Sequence, residues 1–148
     1  MKKLIVLILV LSLCSLVRAQ ILHPVKWSYA AKKLSNTEAV VFVKATIEES
    51  WHIYSVNQKE GGPVKTSFTF MPSNEYELSG TINEPSPITK YESAFSMNVS
   101  YFENSVIFQQ KVKLLKAPTI VMGTLRFMVC NDHQCLPPEG INFEIPIK

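Results

Sequence analysis

Only 18% of this 148-residue chain is charged, and glycine occurs just five times, with no period. Five glycines against nine prolines exclude a collagen-like or flexible low-complexity chain. Several enzyme signatures are missing too: there is no Gly-rich phosphate loop, no H-E-x-x-H and no G-x-S-x-G. Cysteine is scarce at three, and no internal repeat or domain-sized linker divides the chain. What is abundant is apolar: the hydrophobic fraction of 47% belongs to a globular chain. The length suits one domain with a real core.

Met1-Lys2-Lys3 opens the chain with positive charge, and Leu4 to Val17 follows as an almost unbroken apolar run. Val17-Arg18-Ala19 then places small residues where a signal peptidase reads them. This is the layout of a cleaved secretory signal peptide, expected over residues 1–19 with the mature domain over 20–148. The apolar run, about fourteen residues, is short of the roughly 20 that span a bilayer, so no stable membrane insertion is expected after cleavage. A lipid anchor on Cys14 is the alternative, against which Leu13 is large for lipoprotein processing. Cleavage removes Lys2, Lys3 and Arg18, which lowers the basic count from 15 to 12, equal to the 12 acidic residues. A neutral domain has no electrostatic footprint for nucleic acid, and none is expected as a partner. Export also leaves two cysteines, Cys130 and Cys135, in an oxidising compartment where a pair meets as a disulfide.

From Gln20 onward no stretch has a convincing helical period. Short β-branched and aromatic runs recur between turn residues: 40–47, 66–70, 76–82, 106–114, 119–130 and 141–147. Residues 27–34 fit a first strand or a short helix, and the alternation of Trp27, Tyr29 and Ala31 favours the strand. Seven short strands predict one all-β domain, an antiparallel β-sandwich, with a small barrel as the other architecture these signals fit. Two segments are read as long loops. Residues 57–63 are polar and Gly-rich, whereas residues 89–97 carry Tyr91, Phe95 and Met97, large apolar groups that must cover something or await a partner.

Four residues, Asn131-Asp132-His133-Gln134, separate Cys130 from Cys135 and are rich in turn formers. Cross-strand neighbours have Cβ atoms about 4.5–5.5 Å apart, and a disulfide needs about 3.5–4.5 Å. The bond is feasible with some strain, and strain makes a disulfide easier to reduce. As a staple it would contribute only about 2 kcal/mol, because the loop it closes is so short. His133 between the sulfurs would favour a thiolate, while Asp132 acts the other way. Zinc held by Cys130, His133 and Cys135, with His52 as fourth ligand, is an alternative. The two cysteines sit at the margin of zinc spacing and no second pair completes the site, so neither metal nor cofactor is expected. Two functions stay open: a thiol–disulfide carrier, or a non-catalytic secreted binding module with a structural disulfide.

Trp51-His52-Ile53-Tyr54-Ser55, Gly61-Gly62-Pro63, the segment ending in Phe95, and Phe127-Met128-Val129-Cys130 through Cys135-Leu136-Pro137-Pro138-Glu139 together resemble one family. It is the N-terminal periplasmic domain of DsbD, the transmembrane thiol:disulfide interchange protein. The resemblance covers nearly the whole mature chain and is most specific at Cys…Cys-x-Pro-Pro. It implies an immunoglobulin-like sandwich in the periplasm, acting as a protein-disulfide reductase component. Such a domain accepts electrons from a thioredoxin-like protein and passes them to oxidised thiol proteins. By position, Cys135 matches the cysteine that forms mixed disulfides and Cys130 its resolving mate. Phe95 matches the aromatic tip of a cap over the pair, and Tyr54 a tyrosine packed near the site; His52 and His133 are expected to line it. The chain departs from the best-known members in three ways. It has one residue fewer between the cysteines, and Ser93 and Ala94 stand where acids precede the cap phenylalanine, leaving Glu92 as the nearest acid. With Lys148 last, the membrane electron channel and the thioredoxin-like domain are expected to act in trans.

Overall fold

The computed structural model describes residues 22–148, so the expected signal peptide and Cys14 lie outside the described residues. Period-two burial builds the main strands. In β2 (Glu38–Ile47), Ala39, Val41, Val43, Ala45 and Ile47 are buried; in β8 (Ser105–Leu114), Val106, Phe108, Val112 and Leu114 are. With β1 (Val25–Lys33) and β5 (Tyr76–Asn83) they form an antiparallel sheet in the order β1-β2-β8-β5. Gln110 falls on the buried face of β8, where β5 slips register between Ser79 and Asn83. Its amide donates to the Ser79, Gly80 and Lys111 carbonyls at 3.2, 3.3 and 2.8 Å, so the buried polar group is satisfied.

A three-stranded sheet, in the order β11-β9-β4, comes from β4 (Ser67–Phe70), β9 (Thr119–Phe127) and β11 (Glu139–Ile147). Gly123 sits where β4 and β11 close on β9: a Cβ there would lie 2.5 Å from the Thr69 carbonyl oxygen and 2.6 Å from the Phe143 ring. The last sheet, β10-β3-β7-β6, consists of β3 (His52–Tyr54), β6 (Ile88–Glu92), β7 (Met97–Glu103) and β10 (Val129–Cys130). One hydrophobic core draws on all three sheets, with Trp27 against Phe127, Phe68 against Phe108, and Phe102 against Phe108. The architecture is an all-β sandwich of antiparallel sheets, as the strand spacing predicted.

Three strands, β3, β6 and β7, go beyond the sequence reading. Residues 89–97, read as a loop, are mostly the β6–β7 hairpin, and only Ser93 to Ser96 form its turn. The run 119–130 is two strands, interrupted at Met128. The third is β3, only three residues long.

Strands β10, β3 and β7 of the β10-β3-β7-β6 sheet are covered on both faces, and this positions the site. Val129, Ile53 and Phe102 point into the main core. Cys130, Tyr54 and Tyr101, their chain neighbours, point the other way and with Val99 of β7 form a second, smaller cluster, joined by Phe95, Met97 and Met128.

Candidate functional site

Cys130 and Cys135 are joined in a disulfide, their Cα atoms 4.0 Å apart, and the two residues face each other as an isolated antiparallel bridge. The connecting loop is organised by Asn131. Its side-chain oxygen accepts from the His133 and Gln134 backbone N–H groups at 2.9 and 2.8 Å, and its own N–H donates to the Gln134 carbonyl. Such local bonding is the turn chemistry that asparagine supplies. Below the loop, the Leu136 N–H closes onto the Val129 carbonyl at 2.9 Å. The two sulfurs lie in different surroundings: Cys130 is only 2% exposed, whereas Cys135 is exposed.

A cleft of about 420 Å³ opens beside the disulfide. It is lined by the 130–135 segment, by His52 and Tyr54 of β3, and by Lys90, Glu92, Ala94 and Phe95 of the β6–β7 hairpin. All six residues expected at the site therefore meet in one place. Phe95 is half-buried at the tip of the hairpin and packs on the cluster that contains Cys130. Its N–H donates to the Glu92 carbonyl at 3.2 Å, and Ser96, at φ +54°, completes the turn.

Beneath this tip the 55–62 segment is held by buried polar contacts. The Gln58 side chain, 4% exposed, accepts the Ser100 N–H of β7 at 2.7 Å. The Glu84 carboxylate accepts from the Ser55 hydroxyl, the Val56 N–H and the Asn57 amide. Gly62 lies so close to Met97 that a Cβ there would come within 2.7 Å of its sulfur. The polar segment 57–63 is thus a support for the hairpin as well as a surface loop.

His52 pairs with Cys130 in the β3–β10 register. Its Nε2 lies 3.2 Å from the Tyr54 hydroxyl, and its ring rests on Tyr101 with centroids 4.8 Å apart. Burial pushes the His52 pKa below its ordinary value, against the opposing pull of Glu103, Asp132 and Glu92. Burial, reinforced by Glu92 and Tyr101, pushes the Tyr54 hydroxyl up to about 12, so it remains protonated near neutrality. His133 is exposed in the loop. Bonded to each other, neither sulfur is the thiolate that a zinc site uses. Among the described residues no group of three or more His, Cys, Asp or Glu is arranged around a common metal position.

Glu103 and Tyr101 did not emerge from the sequence as site residues. They flank His52 and Tyr54 only through the β3–β7 register, which pairs His52 with Glu103 and Tyr54 with Tyr101. No local motif encodes that pairing.

An immunoglobulin-like sandwich with a short-loop disulfide seated on one sheet, its buried cysteine in a cluster on which an aromatic hairpin tip packs, defines a narrow class of protein. The model of the N-terminal domain of thiol:disulfide interchange protein DsbD matches residues 18–146, and the chain belongs to that family. No curated protein sequence matches the chain. Among solved structures, the DsbD N-terminal domain of Neisseria meningitidis in its reduced form superposes with a TM-score of 0.53 at 15% identity, over 80% of this chain and 83% of that one. The N-terminal periplasmic domain of ScsB from Proteus mirabilis gives 0.59 at 17% identity, over 84% of this chain and 49% of that one. A structure of the complex between the DsbD and PilB N-terminal domains of N. meningitidis gives 0.55 at 15% identity, over 84% and 87%. At these identities the likeness speaks for the fold.

Proposed function

We propose that this chain is a periplasmic thiol–disulfide exchange domain that carries electrons from a thioredoxin-like donor to oxidised thiol proteins through Cys130 and Cys135. The observation that carries this reading is the asymmetry of the pair, with one sulfur exposed and its mate buried against the hairpin tip. Exchange needs a sulfur that can be reached and a leaving thiol that stays in place. Cys135 is the sulfur a partner can reach. A donor thiolate attacks Cys135 Sγ, the Cys130–Cys135 bond breaks, and Cys130 leaves with the electron pair. The donor's second thiol then attacks the mixed disulfide, so the donor is oxidised and both cysteines are reduced. In the second half-reaction the Cys135 thiolate attacks an acceptor disulfide, and Cys130 resolves the intermediate and restores the starting bond.

Phe95 serves as the cover of the buried Cys130 sulfur, and hairpin movement is the gating step that frees Cys130 to leave and to resolve. Membership in the DsbD family and the existence of a DsbD–PilB domain complex support a thioredoxin-like partner, with a membrane electron-transfer protein supplying reductant in trans. The periplasmic setting of the ScsB domain and the signal-like residues 1–19 support export. Trapping tests the reading: Cys130→Ser incubated with oxidised thioredoxin should accumulate a mixed disulfide through Cys135, and Cys135→Ser should not. Failure of Cys130→Ser to form that adduct would leave the disulfide as a structural bond in a binding module.

A further inference from the structure

We infer that His52 is the proton reservoir of the Cys130 sulfur, held for that task between Cys130 and the Glu103 carboxylate in one cross-strand row. The inference rests on the exchange reading above. Strand register places the row, since Cys130 of β10 lies opposite His52 of β3, which lies opposite Glu103 of β7. Residues directly opposite on antiparallel strands share a face, with Cβ atoms about 4.5–5.5 Å apart. The imidazole therefore has a sulfur-bearing residue on one flank and a carboxylate on the other. Tyr54 fixes Nε2 at 3.2 Å, and the Tyr101 ring supports the face of the imidazole.

Four charged groups act on this histidine: Glu103 from β7, Asp132 from the disulfide loop, and Glu92 and Lys90 from β6. Three carboxylates against one ammonium favour the imidazolium. Burial opposes them and prevails while both sulfurs are locked in a disulfide, holding the ring neutral. Attack on Cys135 changes that balance. The sulfur–sulfur bond breaks, the electron pair stays on Cys130, and a new anion appears beside the ring in a buried position. His52 then takes a proton from solvent through the cleft, and the pair is held as imidazolium and thiolate or as imidazole and thiol. When Cys130 resolves a mixed disulfide it must be a thiolate, so His52 receives the proton back and returns it to solvent. Electrons pass only through sulfur, and the histidine moves only protons. The Tyr54 hydroxyl, which stays protonated, can donate to neutral Nε2 or accept from Nε2–H, so it holds the ring in both states.

The test isolates the thiol. In Cys135→Ser, Cys130 is a single thiol whose thiolate is titrated by ultraviolet absorbance, alone and combined with His52→Gln or His52→Phe. A charge of opposite sign within about 4–6 Å moves an acid by about 1–3 pH units. Each second substitution should therefore raise the Cys130 midpoint by that amount, which at fixed pH is about 10- to 1,000-fold less thiolate. Glutamine keeps a hydrogen bond to Tyr54 and phenylalanine keeps the ring packing on Tyr101, so a shift common to both belongs to the proton. In parallel, the His52 ring titration followed by NMR in the wild-type chain should move upward on reduction of the disulfide. Unchanged thiol midpoints, a shift in only one of the two variants, or a His52 midpoint indifferent to reduction would overturn the inference. None of these measurements needs a partner, so they fail separately from the exchange reading, whose failure shows as a missing mixed disulfide.

Discussion

Replacing Phe95 with alanine should open the disulfide to small thiols, and the size of the effect follows from how Phe95 is seated. The side chain is half-buried on the cluster of Tyr54, Val99 and Cys130. Complete burial of a phenylalanine is worth about 1.5–3 kcal/mol, so half-burial holds the hairpin tip in place with about 0.75–1.5 kcal/mol. Displacement of the covered Cys130 sulfur requires the tip to lift, so the rate follows the lifted population. At tenfold per 1.4 kcal/mol, Phe95→Ala should speed reduction by dithiothreitol about three- to twelve-fold. Quenched alkylation followed by mass spectrometry reads that rate. Alkylation and air oxidation of the reduced protein should accelerate by a similar factor. Tyr91→Ala is the control, because Tyr91 is on the same hairpin but 61% exposed, and its removal should leave the rate alone. A Phe95→Ala protein with native stability and the wild-type rate would show that Phe95 is not a cover.

The supporting contacts give two further predictions. Gln58→Ala should lower stability by about 1–3 kcal/mol in urea denaturation, since it strips the Ser100 N–H of its acceptor in a half-buried site; a loss below about 0.5 kcal/mol would contradict the support role. Acid should destabilise the oxidised protein through His52. Its folded pKa lies below the unfolded value, so the unfolded chain binds the proton more tightly. The stability this contributes is present above about pH 6.5 and is lost as pH falls through the folded value. Denaturation midpoints of the wild-type chain should fall over that window and those of His52→Phe should fall less; parallel curves would refute it.

Much of the sandwich was legible because the long strands are rich in β-branched and aromatic residues. Residues 40–47 and 106–114 are marked as strands by that composition, and the structure adds which side chains of each face the core. Alternation of Trp27, Tyr29 and Ala31 likewise identified β1. The sheet that carries the site was not legible, for a physical reason. Its strand β7 is covered on both faces, with Val99 in the small cluster and Phe102 in the main core, so apolar residues fall on both parities and no alternation appears. Strand β6 is an edge strand exposed along most of its length, and β3 is three residues long. The cysteines, Phe95, Tyr54 and His52 could be named from sequence, but the row from Cys130 through His52 to Glu103 exists only once the register is set. The polar segment 57–63 looked like loop because its function is to bond backbone groups rather than to bury carbon.

The reduction potential of the Cys130–Cys135 pair tests the central claim most directly. It is measured on the wild-type domain equilibrated in dithiothreitol redox buffers, with the thiol and disulfide forms separated after alkylation. Structural disulfides lie below about −300 mV, and exchangeable ones lie above it. A carrier whose outer sulfur is exposed should have a potential above about −300 mV. A value well below that line would make the bond a staple and return the chain to the binding-module reading.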